Sequence, residues 1–342
     1  MTLTGKEPEL PSVILYSHTD VVPVFPEHWK YDPFSAHKDE EGNIYARGSQ
    51  DMKCVGIQYI EAVRRLQKSG VISFLRTIHI IWGPEEEVSG ELGMKLYVET
   101  DDFKSLNPGF HLDEGIASPD EIYKAFYAER FPWWLEIKCT GNPGHGSKFI
   151  ENTAAEKLRR VINNFLDFRA EQEKTLNSDD SFSIGNVTSV NLTKVEGGVQ
   201  LNVVPAELTA SFDIRVPPTI NKDDFLKQIE SWCADAGPGV SYKFLNFFWD
   251  SNITSTDKSN PWWSAFSGAL EKMGLKFTTE VLTGGTYACF VRSKGISALG
   301  FSPMINTPQL LHDHNEYLNE KVFLTGVEIY TRLIPALANV IA

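Results

Sequence analysis

The run Ser12-Val13-Ile14-Leu15-Tyr16-Ser17-His18-Thr19-Asp20 decides how the first third of this chain is read. Ser12 to Ser17 is short, apolar and partly β-branched, which predicts a buried strand ending at His18. Outward from it, Lys53 to about Leu66 carries Val55, Ile57, Tyr59, Ile60, Ala62, Val63 and Leu66, the pattern of a helix with one buried face. Thr77 to Trp82 reads as a second buried strand, stopping at Gly83-Pro84 before Glu85-Glu86-Glu87. Gly109 to Leu112 reads as a third, stopping at Asp113. Strand–helix–strand alternation predicts an α/β fold with a mostly parallel sheet flanked by helices, and such sheets bind ligands beyond the carboxyl ends of their strands. The acids fall at those ends.

After Phe131 the pattern changes. Trp133–Thr140, Val187–Val195, Ala206–Arg215 and Val240–Phe247 read as strands, while 152–173 and 222–234 read as amphipathic helices. The resulting β-α-β-β-α-β order is that of a split α+β sandwich. A helix around Trp262-Trp263-Phe266 and a strand over Ile296–Phe301 then return to the α/β pattern. The sandwich is therefore expected as an insertion: 1–129 and 249–342 form one domain and 130–248 the inserted one. The full chain of 342 residues accommodates this, since a domain typically takes roughly 100–200 residues.

A formal net charge of −13 argues against nucleic-acid and anionic-membrane partners, and it leaves carboxylates available for cations. No apolar run approaches the ~18 residues needed to cross a bilayer. The amino terminus has no apolar signal core, and Cys54, Cys139, Cys233 and Cys289 are far apart with no CxxC pair. A soluble, cytoplasmic protein with reduced thiols is expected.

Each candidate site residue has a bland reading as well as a chemical one. His18 is either a capped strand-end histidine or a metal ligand whose second ring proton goes to Asp20. Asp51, at the mouth of the Lys53 helix and after the turn residue Gly48, is either a helix N-cap or a carboxylate aimed at the strand ends. Glu85-Glu86-Glu87 is either a solvated loop or a pair of roles on one turn, a ligand beside a general base. Asp113-Glu114 repeats that logic, and His312-Asp313-His314-Asn315-Glu316 brings histidines near the end of the chain. His, Asp, Glu, Asp and His at consecutive strand ends suit two zinc ions bound through nitrogen and oxygen.

The blocks Ser17-His18-Thr19-Asp20-Val21-Val22-Pro23, Tyr45 to Lys53, Pro84 to Glu87, Pro143-Gly144-His145-Gly146-Ser147 and His312 to Glu316 resemble the M20 metallopeptidases, most closely their amidohydrolase branch. The resemblance implies a zinc-peptidase-like fold with an inserted lid and dimerisation domain, and a dizinc amidohydrolase that cleaves N-acyl-L-amino acids to a carboxylic acid and a free L-amino acid. It implies one zinc on His18 and Asp113, a second on Glu87 and His312, and Asp51 bridging them. Glu86 becomes the general base and Asp20 the partner of His18. His145 is expected to stabilise the oxyanion in the other subunit of a homodimer, with Asn202, Arg215 and Thr286 contacting substrate and Arg215 matched to its carboxylate. The resemblance departs over Gly284 to Phe290, where Tyr287 stands in place of an acid and no basic residue follows. It also implies a longer segment ahead of the His18 strand. A dipeptidase or carboxypeptidase of the same kind, and a truncated inactive binding homologue, are the alternative expectations.

Overall fold

The computed structural model describes residues 1–71, 73–179 and 182–341. The chain divides into two compact units, one of Met1–Ala128, Asn252–Glu280 and Thr286–Ala342, the other of Glu129–Ser251 and Val281–Gly285. Val281–Gly285, which the sequence reading placed with the flanking segments, groups with the inserted one.

The larger sheet has seven strands in the order Thr2–Leu3, Ile78–Gly83, Ser12–His18, Pro108–Asp113, Ser297–Phe301, Tyr123–Glu129 and Phe277–Leu282. The four strands from Ile78–Gly83 to Ser297–Phe301 run parallel, with Ser17 opposite Trp82, Leu15 opposite Leu112 and Gly300 opposite Asp113. His18, Gly83 and Asp113 consequently finish along one edge. Antiparallel strands flank this parallel core, Thr2–Leu3 on Ile78–Gly83 and Tyr123–Glu129 on Ser297–Phe301. The expected α/β sheet is the observed one.

Period-two alternation sorts the faces. Val13, Leu15, Phe110 and Leu112 face the helices Lys53–Lys68, Pro261–Lys272 and Glu320–Ala338, whose Tyr59, Phe266 and Tyr330 share that core. Ile14 and Tyr16 face the other way, onto Met94, Phe103, Tyr287 and Val291. Gly56 lets the Lys53–Lys68 helix approach closely, because a Cβ there would lie 2.7 Å from Ser17 Oγ and 2.9 Å from Trp82 Nε1. Ile57, expected on the buried face, is 47% exposed. Two residues beyond Val55 it has turned through about 200° of the helix, out of the buried stripe.

The second unit carries a four-stranded antiparallel sheet in the order Ser189–Gly197, Glu207–Val216, Phe131–Thr140, Val240–Phe247. The helices Ala154–Leu176 and Lys222–Asp235 complete the β-α-β-β-α-β order predicted from the sequence. Thr153 and Glu156 form a reciprocal capping box that starts the first helix, and Asn221 caps the second. Trp133, Leu135, Ile137 and Cys139 are buried on alternate positions, and Phe165 stacks on Phe212 at 4.3 Å between centroids. Replacing fully buried Phe165 by alanine is expected to cost about 3–5 kcal/mol and lower the thermal midpoint in calorimetry. An unchanged midpoint would show that this aromatic stack does not hold the unit together.

Candidate metal centre

His18 is the last residue of its strand and is buried. Its Nδ1 lies 2.9 Å from the backbone carbonyl of Asp20, while the Asp20 carboxylate stands off at 3.7 Å. The carbonyl and not the carboxylate therefore takes the second ring nitrogen. Asp20 Oδ2 instead accepts the Glu87 amide at 3.1 Å. With Nδ1–H committed to a carbonyl, the tautomer that leaves Nε2 free for a cation is favoured.

Asp51 is buried, and its two oxygens reach two histidines: Oδ1 lies 2.8 Å from His18 Nε2 and Oδ2 lies 3.3 Å from His312 Nε2. It does not cap the helix, whose N-cap is Met52 with no side-chain cap bond. His312 Nε2 also lies 3.0 Å from Glu87 Oε2, while Glu87 Oε1 is buried without a hydrogen-bond partner. The three consecutive acids diverge. Glu85, at φ 67°, accepts the Leu92 amide, Glu86 turns into the cluster, and Glu87 meets His312.

Asp113, an expected ligand, stands apart from the grouped donor atoms. Asp113 is buried, but its Oδ1 accepts the amide of Glu114 at 2.8 Å and its Oδ2 lies 3.4 Å from His111 Nε2. The second carboxylate near His18 Nε2, after that of Asp51, is Glu114 at 3.5 Å. The register explains this. Leu15 pairs with Leu112, so Asp113 lies level with Tyr16, still inside the sheet, whereas Glu114 is the first residue beyond the strand. The residues alone leave Asp113 and Glu114 equivalent, and the family resemblance selects Asp113.

Donor atoms of His18, Asp51 and Glu87 lie within 4.8 Å of one another, as do those of His18, Glu86 and Glu114. Charge in this cluster is strongly perturbed. Burial works against protonated His18, yet Glu114 and Asp51 push its pKa up to about 12. Hydrogen bonds that the ring donates to the Asp51 and Glu87 carboxylates push His312 up to about 10. Burial raises the Asp51 carboxyl, but the two histidines outweigh it and hold that carboxyl well below its ordinary range. Burial, then neighbouring negative charge, drives Glu86 and Glu114 well above the usual carboxylate range. So many carboxylates in one buried place call for cations, and imidazole nitrogen with carboxylate oxygen is a donor set that zinc accepts. The unpartnered Glu87 Oε1 fits that need.

Beyond the strand ends, Tyr287 is buried and donates its hydroxyl to the Pro84 carbonyl at 2.5 Å, pinning the turn that carries Glu85 to Glu87. Thr286 is buried, and its Oγ1 accepts the Ala288 amide. On the second unit His145 is exposed, paired with Val203 across a two-stranded ribbon, with Nδ1 2.8 Å from Ser147 Oγ. Asn202 is exposed and its carbonyl accepts the Gly146 amide. Arg215 makes two parallel bonds to Asp213, at 2.7 and 2.9 Å. It lines a cavity of about 620 Å³ together with Arg130, Arg169 and Gln172.

The family profile of peptidase family M20/M25/M40 matches residues 14–336. Aminoacylase-1 of Mus musculus is 54% identical over 340 residues, covering 99% of this chain and 83% of that protein. Aminoacylase-1 of Dictyostelium discoideum is 47% identical over 351 residues, covering 99% and 85%. Among solved structures, the M20 family metallo-carboxypeptidase Sso-CP2 from Sulfolobus solfataricus superposes with a TM-score of 0.73 at 16% identity, covering 99% of this chain and 87% of that one. The dinuclear metal-binding peptidase YXEP of Bacillus subtilis superposes with a TM-score of 0.68 at 15% identity, covering 99% and 85%.

Glu114→Gln is expected to weaken Zn2+ binding, measured by chelator competition, by more than the ~10–100-fold that partners behind the ligands typically contribute, with Asp113→Asn losing less. Equal losses, or a larger one in Asp113→Asn, would return Asp113 to the ligand set.

Proposed function

The chain belongs to peptidase family M20/M25/M40, and from that premise we propose that it hydrolyses N-acyl-L-amino acids to a carboxylic acid and a free L-amino acid, using two zinc ions per subunit. It is an amide hydrolase of a metal-dependent family. The observation that carries the dizinc reading is Asp51, one oxygen on His18 and the other on His312. His18, Asp51 and Glu114 would hold one zinc, and Asp51, Glu87 and His312 the other. Bound zinc supplies Lewis acidity and lowers the pKa of water towards about 7.

Glu86 is the residue left over for proton transfer. Its half-buried side chain lies beside Glu114 and His18, in a setting that raises its affinity for a proton. It takes the proton of the attacking water and delivers it to the amine as the C–N bond breaks, so acid and amine leave in balance. Asp20, through its carbonyl, keeps His18 oriented. His145 is assigned to the oxyanion in a second copy of the chain. Asn202, Arg215 and Thr286 are assigned to the substrate, with Arg215 for its carboxylate. The existing Asp213 fork requires that carboxylate to compete with or share an occupied guanidinium.

We further place the protein in the cytoplasm as a homodimer formed through the inserted unit, which serves as the lid. Four free, buried cysteines support a reducing compartment, and no described helix is long and apolar enough to cross a membrane. Exposed Phe149, Val199 and Leu201 beside the His145 ribbon support a covered face.

Purified, zinc-loaded protein is expected to release free methionine from N-acetyl-L-methionine and to lose this activity to a chelator. Glu86→Gln should keep its zinc and lose turnover by about 10²–10⁴-fold. A zinc-loaded wild type without turnover would sink the amidohydrolase reading, and zinc loss in Glu86→Gln would make Glu86 a ligand.

A further inference from the structure

Glu316 has no role in the site described so far, yet it is fully buried and its carboxylate is saturated by one loop. Oε2 accepts from Arg47 Nη1 at 2.7 Å and from the Gly48 amide at 3.0 Å. Oε1 accepts from the Gln50 amide at 2.6 Å and from the Asp51 amide at 3.2 Å. Gly48, at φ +84°, gives the loop the backbone angles that bring these amides onto one anion. A buried carboxylate is tolerable only when paired and hydrogen-bonded on both oxygens, and here it is. Arg47 is held in turn with its guanidinium 5.2 Å from the centroid of the Trp29 ring.

The connection runs between two ligand loops. Glu316 follows His312 by four residues, and the last amide it accepts belongs to Asp51 itself. Gln50 adds three bonds of its own, donating to the carbonyls of Pro308 and Tyr317 and accepting the Leu310 amide. One carboxylate therefore sets where Asp51 stands relative to His312.

We propose that Glu316 is a positioning residue for the metal centre, holding Asp51 at the angle and distance from which it bridges two cations. This rests on the reading of Asp51 as the bridging ligand. Glu316→Gln replaces one oxygen by an NH2 group that opposes the loop's N–H donors, and that displaces Asp51. Zn2+ affinity, measured by chelator competition, is expected to fall about 10–100-fold, the usual size for partners behind ligands. The visible absorption of the protein loaded with Co2+ alone should change as well. A role confined to stapling two loops would lower the thermal midpoint and leave zinc affinity and cobalt spectrum as in the wild type. That result in folded Glu316→Gln overturns the proposal.

If Glu316→Gln does not fold, Glu316→Asp decides, since it keeps the charge opposite Arg47 but stops one methylene short of the amides. Weakened zinc binding there supports the proposal, and wild-type binding with an unaltered cobalt spectrum overturns it. A wild type that binds no zinc would instead remove the premise about Asp51.

Discussion

Everything at the sheet's carboxyl edge answers to one electrostatic constraint, the burial of several carboxylates around two histidines. Asp51, Glu86, Glu87 and Glu114 are gathered at one place, and there burial and neighbouring negative charge push Glu86 and Glu114 towards their protonated forms unless positive charge is supplied. The proton affinities of His18 and His312 rise because their protons are the local positive charge available. Two divalent cations would meet the same demand with ligand geometry in place. The fold makes the gathering possible: parallel strands deliver His18, the turn after Gly83 and the Asp113–Glu114 corner to a common edge. A chain with the same acids on scattered loops would let them solvate, and nothing would hold them together.

The elements legible in the sequence were those with a strong internal period. The Ser12, Thr77 and Gly109 strands, both long helices of the second unit and the β-α-β-β-α-β order all appear. What stayed hidden depended on partners far along the chain. Thr2–Leu3 is two residues long and is a strand only because Ile78 and His79 lie beside it. Tyr317–Asn319 becomes one against Asn43–Tyr45. The placement of Glu114, and not Asp113, beside His18 has the same origin: where a strand stops relative to its neighbour decides which of two adjacent acids leaves the sheet. Asp20 was legible as a neighbour of His18, but which of its oxygens would face the ring depended on the path of the backbone beyond the strand.

Tyr287 is held by packing and one hydrogen bond. It fills space between Tyr16, 5.5 Å away between ring centroids, and Gly90, where a Cβ would approach its ring to 2.2 Å. Its hydroxyl spends its hydrogen bond on Pro84. The residue thus braces the Glu85–Glu87 turn from below, so a tyrosine at this position has a packing reason of its own.

The two readings of Asp51 show why local propensity fails at such sites. An aspartate just before a helix is ordinarily its cap, accepting an amide of the first turn. Here the cap position falls to Met52, which makes no side-chain cap bond, and the helix starts without that help. The forgone cap is a cost of about 1 kcal/mol. What offsets it is the carboxylate of Glu316, which ties down the amides leading into the helix from 265 residues away in sequence. Asp51 is thereby released from local duty, and its two oxygens are free to face two histidines. A residue withheld from its cheapest structural use, with a distant partner arranged to replace that use, is what functional constraint leaves in a protein.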